Sequence, residues 1–276
     1  MIKDILLNLT VGAARDPAVN YAASVATTFD AHLAAIAFAY EPVVPPTIMG
    51  GIPASFIDSQ RAESEKAAAQ AVARFTEVAN RRGLSAEQRV VSESLAGAAD
   101  LFARTARRCD LSILTQAEPD KMAPEELIIE AALFESGRPV LVVPYIQEAE
   151  LTLDQVMVCW DGTRTAARAI GDAMPFLTRA KRIEIVIVAN DPGKSDELPG
   201  ADLGQHLARH KLTVDVKRIV APDGDVGSTL LSHAADSGAN LMVMGGYGHS
   251  RLRQFVLGGV TRGVLEAMTV PVLMSH

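Results

Sequence analysis

Short apolar runs alternate with stretches of helical periodicity along the whole chain. Ile5-Leu6-Leu7-Asn8-Leu9 reads as a first strand. Residues 17–29, with Ala18, Val19, Ala22, Val25 and Ala26 on one face, read as a helix. A second strand follows at 32–40. The prolines between Glu41 and Pro53 can continue neither strand nor helix, so that segment is a loop. A long helix rich in Ala, Glu and Arg spans about 57–81 and stops at Gly83. Strands at 86–92, 111–114 and 139–144, with helices at 96–108 and 125–134, complete this half.

Beyond residue 145 the pattern restarts. Strands are predicted at 155–160, 182–189, 214–220 and 241–244, with helices at 164–177, 201–210 and 226–237 between them. A last helix, 261–268, leads into a closing strand, 271–275. The order of elements is the same in both halves. Leu111-Ser112-Ile113-Leu114 precedes Pro139-Val140-Leu141-Val142 much as Leu241-Met242-Val243-Met244 precedes Pro271-Val272-Leu273. Alternating βα units imply parallel sheets, right-handed crossovers and helices on both faces. The chain is therefore expected to be α/β, with two tandem Rossmann-like domains, 1–147 and 152–276, joined near residues 148–152.

One stretch stands apart in chemistry. After the strand 241–244 come Gly245-Gly246-Tyr247-Gly248-His249-Ser250-Arg251-Leu252-Arg253. The chain then runs through Phe255-Val256-Leu257 to Gly258-Gly259-Val260-Thr261. Glycines at a strand exit and again at a helix start let backbone N–H groups approach an anion that a Cβ would hold off. The helix start adds unpaired donors and the positive end of the macrodipole. Ser250 and Thr261 offer hydroxyls, and Arg251 and Arg253 offer cations. Two readings stay open: a nucleotide phosphate cradle, or glycines that merely make turns. The P-loop pattern and a G-x-G-x-x-G fingerprint after the first strand are both absent.

The spacing Gly245-x-x-Gly248, nine residues, then Gly258-Gly259, with the closing run Pro271-Val272-Leu273, resembles the universal stress protein family in its ATP-binding branch. That family's motif is G-x2-G-x9-G followed by Ser or Thr. Gly259 departs from it, standing where a hydroxyl residue is preferred. The resemblance covers both halves, weakly in the first and strongly in the second. It implies a five-stranded sheet in each, ordered 3-2-1-4-5, and assembly through the last strand of each domain. Either the two domains satisfy each other as an intramolecular pseudo-dimer, or a whole chain pairs with a second as a homodimer. It further implies ATP as the ligand. Backbone groups at Ala189 would meet the base, an aspartate after the first strand of the domain would lie near the nucleoside, and the turn from Gly258 and Gly259 to Val260 would hold the phosphates.

In an open parallel sheet, ligands bind at the carboxyl ends of the strands where strand order reverses. In the second half this brings Asp161-Gly162-Thr163 towards the glycine stretch. The Asp161 carboxylate can accept hydrogen bonds from a ribose or amine or help hold Mg²⁺; the plain alternative is an Asp-Gly turn. In the first half Thr10 takes the place of Asp161. Gln116-Ala117-Glu118-Pro119 takes that of the glycine turn. Proline removes a donor, and Glu118 with Asp120 would repel phosphate, so the first half is expected not to bind nucleotide in the same way.

Composition narrows the classes. A net charge of −7 argues against a nucleic-acid surface driven by bulk electrostatics. No apolar run approaches membrane-spanning length, and the N-terminus enters a strand directly, without signal-peptide architecture. Cys109 and Cys159 lie far apart without metal-ligand spacing, which suits reduced thiols in a cytoplasmic protein.

His206 and His210 have the spacing of a helical metal pair, but no third ligand is evident. His249 either touches a phosphate or is solvated, and Trp160 either joins the core or lines the nucleoside pocket. No catalytic constellation has a motif behind it; Asp161 beside Mg²⁺ is all the sequence offers towards slow ATP hydrolysis. The leading expectation is an ATP-binding regulatory or stress-response protein with one site in the second domain. The alternatives are an interaction module without nucleotide and a slow ATP hydrolase.

Overall fold

The computed structural model describes residues 1–41, 53–118, 124–189, 200–221, 224–246 and 259–276. The first half builds β1 (Asp4–Leu9), α1 (Pro17–Phe29), β2 (His32–Tyr40), α2 (Ala54–Arg82), β3 (Ala86–Glu93), α3 (Leu95–Ala106), β4 (Leu111–Thr115), α4 (Pro124–Glu135) and β5 (Val140–Val143). The second builds β6 (Gln155–Cys159), α5 (Arg164–Leu177), β7 (Arg182–Ala189), α6 (Ala201–Arg209), β8 (Val214–Val220), α7 (Val226–Ser237), β9 (Leu241–Gly245), α8 (Gly259–Ala267) and β10 (Val272–Ser275).

Local chemistry sets the helix ends. Asp16 caps α1 by accepting from the Ala18 N–H, and Pro17, which has no N–H to leave unpaired, follows it. Thr163 caps α5 through a bond from the Ala166 N–H. Gly83 closes α2 at φ 63°, a left-handed conformation that a Cβ disfavours.

Within each half the five strands are parallel and ordered 3-2-1-4-5, because each βα unit crosses over to a strand beside one already laid down. The two sheets do not stay separate, however. β5 and β10 pair antiparallel, with Leu141 opposite Leu273, and all ten strands form one sheet ordered β3-β2-β1-β4-β5-β10-β9-β6-β7-β8. The two five-stranded units thus join edge to edge. Pairing the last strands satisfies two edges whose backbone groups would otherwise be exposed.

The register relates the halves by an approximate two-fold axis. Leu111 lies beside Ile5 as Leu241 lies beside Val156, and Val140 lies beside Ser112 as Val272 lies beside Met242. These correspondences make Leu141 and Leu273 equivalent, so the axis passes through their pairing. Counting from the caps Asp16 and Thr163, Phe29 is equivalent to Phe176, and these two rings meet edge to face at 4.9 Å. One apolar layer, with α1, α2, α5 and α6, covers one face across both halves, and a second, with α3, α4, α7 and α8, covers the other.

The segment joining the halves is held in place. Arg15 contacts Glu148 at 2.9 Å, the Leu151 N–H donates to the Ser24 hydroxyl at 2.9 Å, and Leu151 and Leu153 pack against the core.

Candidate functional site

Strand order reverses between β6 and β9 in the second half and between β1 and β4 in the first. At each reversal the crossovers leave on opposite faces, and a crevice opens beyond the carboxyl ends.

In the second half β6 ends at Cys159, and Asp161 follows in an exposed turn at whose next residue, Gly162, φ is +75°. Asp161 Oδ1 accepts from the Thr163 N–H at 2.9 Å and from the Thr163 hydroxyl at 2.7 Å. Because that hydroxyl donates to Asp161, its oxygen accepts from the Ala166 N–H at 3.2 Å and, by the same logic, from the Thr165 hydroxyl at 3.1 Å. One carboxylate oxygen is thus fixed. Among the described residues the other, Oδ2, has no hydrogen-bond donor. Burial, and next the Asp161 charge, push the neighbouring Cys159 thiol up to about 12.

Across the crevice, β9 delivers Gly245 against the start of α5. A Cβ there would lie 2.6 Å from the Ala166 nitrogen and 2.7 Å from the Thr165 hydroxyl oxygen, distances that side-chain carbons do not adopt. Glycine is therefore a steric requirement at this position. Gly259 begins α8 in an exposed position where, among the described residues, a Cβ would meet nothing within 4 Å. Val260 is partly exposed, and Thr261 is buried on the core side of α8. Ala189 ends β7, its carbonyl facing the Ala221 N–H at a long 3.5 Å. Gly248, His249, Ser250, Arg251, Arg253 and Gly258 lie outside the described residues. Asp161, Thr163, Thr165 and Gly245 are thus brought together, with the α8 start carrying Gly259 and Val260.

The first-half crevice is built differently. By register Thr10 occupies the place of Asp161, and Thr115 and Gln116 those of Gly245 and Gly246; the Gln116 N–H bonds the Val143 carbonyl as the Gly246 N–H bonds that of Ser275, both at 2.8 Å. The gap is bridged by Asp16. Its carboxylate accepts from the Thr10 N–H at 2.7 Å, the Thr115 hydroxyl at 2.8 Å and the Ala18 N–H at 3.2 Å. The chain's own carboxyl group thus sits at the amino end of α1 between the two strands. Burial raises the Asp16 carboxyl above the usual range, opposed by these hydrogen bonds and by the Arg74 charge.

Other sequence candidates resolve simply. His206 and His210 stack edge to face at 5.0 Å, and among the described residues no group of three metal-ligating side chains forms. Trp160 packs partly buried against the core. No helix among the described residues is long and apolar enough to cross a membrane. An open groove of about 450 Å³ lies at the amino ends of β1, β2 and β3, lined by Asp4, His32, Arg89 and Arg108. It is at the wrong end of the strands for a switch-point ligand.

Thr165, Asp16 and the reach of Gln116 were not singled out from sequence. Only Asp16 carried a readable sign, an Asp-Pro pair opening a helix.

The sequence model of the universal stress protein family matches residues 152–276. A universal stress protein of Synechocystis sp. is 28% identical over 142 residues, 49% of this chain and 46% of that protein. The matched region thus spans about half the length of that curated relative. Among solved structures, a universal stress protein from Archaeoglobus fulgidus superposes with a TM-score of 0.71 at 16% identity, covering 98% of this chain and 95% of its own. A putative universal stress protein from Pseudomonas aeruginosa gives 0.62 at 16% identity, covering 99% and 93%. The two structures share the fold across almost the whole chain. Residues 152–276 of this chain thus resemble the universal stress protein family in sequence, and the chain as a whole shares the fold of the two structures.

Proposed function

We propose that the chain is an adenine-nucleotide-binding regulator of the stress-response type, with one ATP site at the crevice between β6 and β9. The observation that carries this reading is Gly245. It is forced to be glycine by the start of α5 and stands opposite an aspartate with one oxygen fixed and one that, among the described residues, lacks a donor. Asp161 Oδ2 would accept from a ribose hydroxyl or take one position on Mg²⁺, an ion that commonly combines one or two carboxylates with phosphate oxygens and water. Backbone N–H groups of Gly245, Gly248, Gly258, Gly259 and Val260 would hold the phosphates. Ser250, Thr261, His249 and Arg251 would supply polar and cationic groups, and Ala189 would border the base.

In this reading the units are residues 1–147 and 152–276, paired through β5 and β10 as an intramolecular pseudo-dimer, and the first carries no nucleotide. The carboxyl of Asp16 in its crevice supports that assignment, since it already takes up the N–H and hydroxyl donors there that a phosphate would use. Two free thiols suit a reducing, cytoplasmic setting. Any homodimer of whole chains would use surfaces other than the paired last strands.

The test is calorimetric titration of the purified protein with ATP and Mg²⁺. Saturable binding at one site per chain, lost in Gly258→Val and weakened in Asp161→Ala, is expected. No heat from the folded wild type would overturn the reading. It would favour instead an interaction module, to which the missing hydroxyl at Gly259 already leans. Phosphate release by the wild type against Asp161→Ala separates a binder from a slow hydrolase.

A further inference from the structure

Gln116 lies in the first half, buried to 2% exposure, yet its side chain serves the second. Its Nε2 donates to the Leu265 carbonyl at 2.8 Å and the Glu266 carbonyl at 3.1 Å, while its Oε1 accepts from the Tyr145 N–H at 3.3 Å. Leu265 and Glu266 are in the last turn of α8, where carbonyls have no partner within the helix. That turn holds no basic side chain of its own.

Besides this anchor, α8 packs against α7 and the core layer through Val264 and Leu265. It is nine residues long, too short to be stable alone, and only Thr261 and Val264 are buried. Its amino end, Gly259–Val260, is the part assigned above to the phosphates. The arrangement is also one-sided. Gly246, equivalent to Gln116 across the two-fold axis, has no side chain to offer α4, and a Cβ there would meet the Leu133 side chain at 2.8 Å.

We infer that Gln116 is a positioning residue for the nucleotide helix. From the first half it anchors the carboxyl end of α8 and so sets how the amino end of that helix meets the phosphates. The inference rests on the nucleotide reading above and gives the first half a part in ligand affinity although it holds no ligand itself. An amide is suited to the task, since it donates to both carbonyls and accepts from Tyr145 at once, without charge.

The test compares ATP with adenosine, which lacks the phosphates, on the intact chain. Gln116→Met keeps length and removes the donors; Gln116→Glu keeps shape and turns an acceptor on the carbonyls. Both variants are expected to bind ATP roughly tenfold more weakly while adenosine affinity stays within about twofold. Hydrogen exchange should quicken at the amides of residues 259–267 and not in α4. If the folded variants bind ATP as the wild type does, or lose ATP and adenosine affinity equally, the positioning role is wrong. A wild type that binds neither ligand overturns the nucleotide reading itself and takes this inference with it, an outcome visible before any variant is made. Should Gln116→Met fail to fold, Gln116→Glu decides alone.

Discussion

A Cβ on Gly245 would lie 2.7 Å from the hydroxyl oxygen of Thr165, and still closer to the Ala166 nitrogen. Besides that hydroxyl, the close atoms are backbone atoms of Thr165 and Ala166, so turning one side chain cannot relieve the contact. Gly245→Ala should therefore lose about 1–3 kcal/mol in urea unfolding, the range for overpacking a tight contact. Gly259→Ala meets no described residue and should change stability by less than about 1 kcal/mol. Equal losses from the two would contradict the packing described.

The Asp16 carboxyl is raised in the folded protein, chiefly by burial. Its proton is held in the folded state at pH values where the unfolded chain has released it, so stability falls as pH rises from the ordinary carboxylate range to the raised value, then levels off. Urea midpoints of the wild type relative to Asp16→Asn should show that decline as pH rises above the ordinary carboxylate range. Glu125, raised first by burial and also by the Asp16 charge, titrates in the same direction. A difference independent of pH would remove Asp16 from its buried place.

Leu141 and Leu273 face each other where the two halves meet, and both are fully buried. Leu141→Ala and Leu273→Ala should each cost about 2–5 kcal/mol. As direct neighbours they should couple by about 0.5–3 kcal/mol in a double-mutant cycle. Strict additivity would mean that the antiparallel junction does not form.

With its thiol pushed up to about 12, Cys159 carries on the order of a thousandfold less thiolate at neutral pH than a free cysteine. Cys109 is raised too, by burial first and then by Asp4. Alkylation with iodoacetamide should be negligible for both in the native protein and complete in denaturant. Asp161→Ala removes the second cause of the shift and should quicken labelling of Cys159 selectively.

Thr163→Val takes away both the cap of α5 and the hydroxyl that fixes Asp161 Oδ1. A stability loss of about 1 kcal/mol is expected, with Thr163→Ser restoring it. Under the nucleotide reading, Thr163→Val also weakens ATP binding, which calorimetry would detect.

Periodicity made the elements legible because burial acts locally. The predicted helix 57–81 became Ala54–Arg82, and the predicted 261–268 became Gly259–Ala267, shifts of a turn or less at ends that fray by nature. The order 3-2-1-4-5 within each half was available only through the family resemblance, since alternating βα units fix parallel pairing and crossover hand but not which strands are neighbours. The antiparallel junction of β5 with β10 was not legible as a register, since it joins short apolar strands 132 residues apart (Leu273 against Leu141) and either partner choice would bury them. At the crevice between β6 and β9, Asp161 and Gly245 stood out as candidates because Asp-Gly and spaced glycines are local signs. Thr165, Asp16 and Gln116 act through contacts that only the packed crevice creates. For Gln116 the partner carbonyls are backbone atoms 149 and 150 residues away, and no side-chain pattern marks them.

The pairing about Leu141 and Leu273 has an implication for how such a protein can change. In an assembly of two identical polypeptides, every substitution is made twice, so glutamine on one side of the axis brings glutamine on the other. Written into one polypeptide, the two sides are free to diverge: Gln116 stands where its counterpart is Gly246, and Asp16 where its counterpart is Thr163. Division of labour between the halves is available to this molecule because its symmetry is approximate.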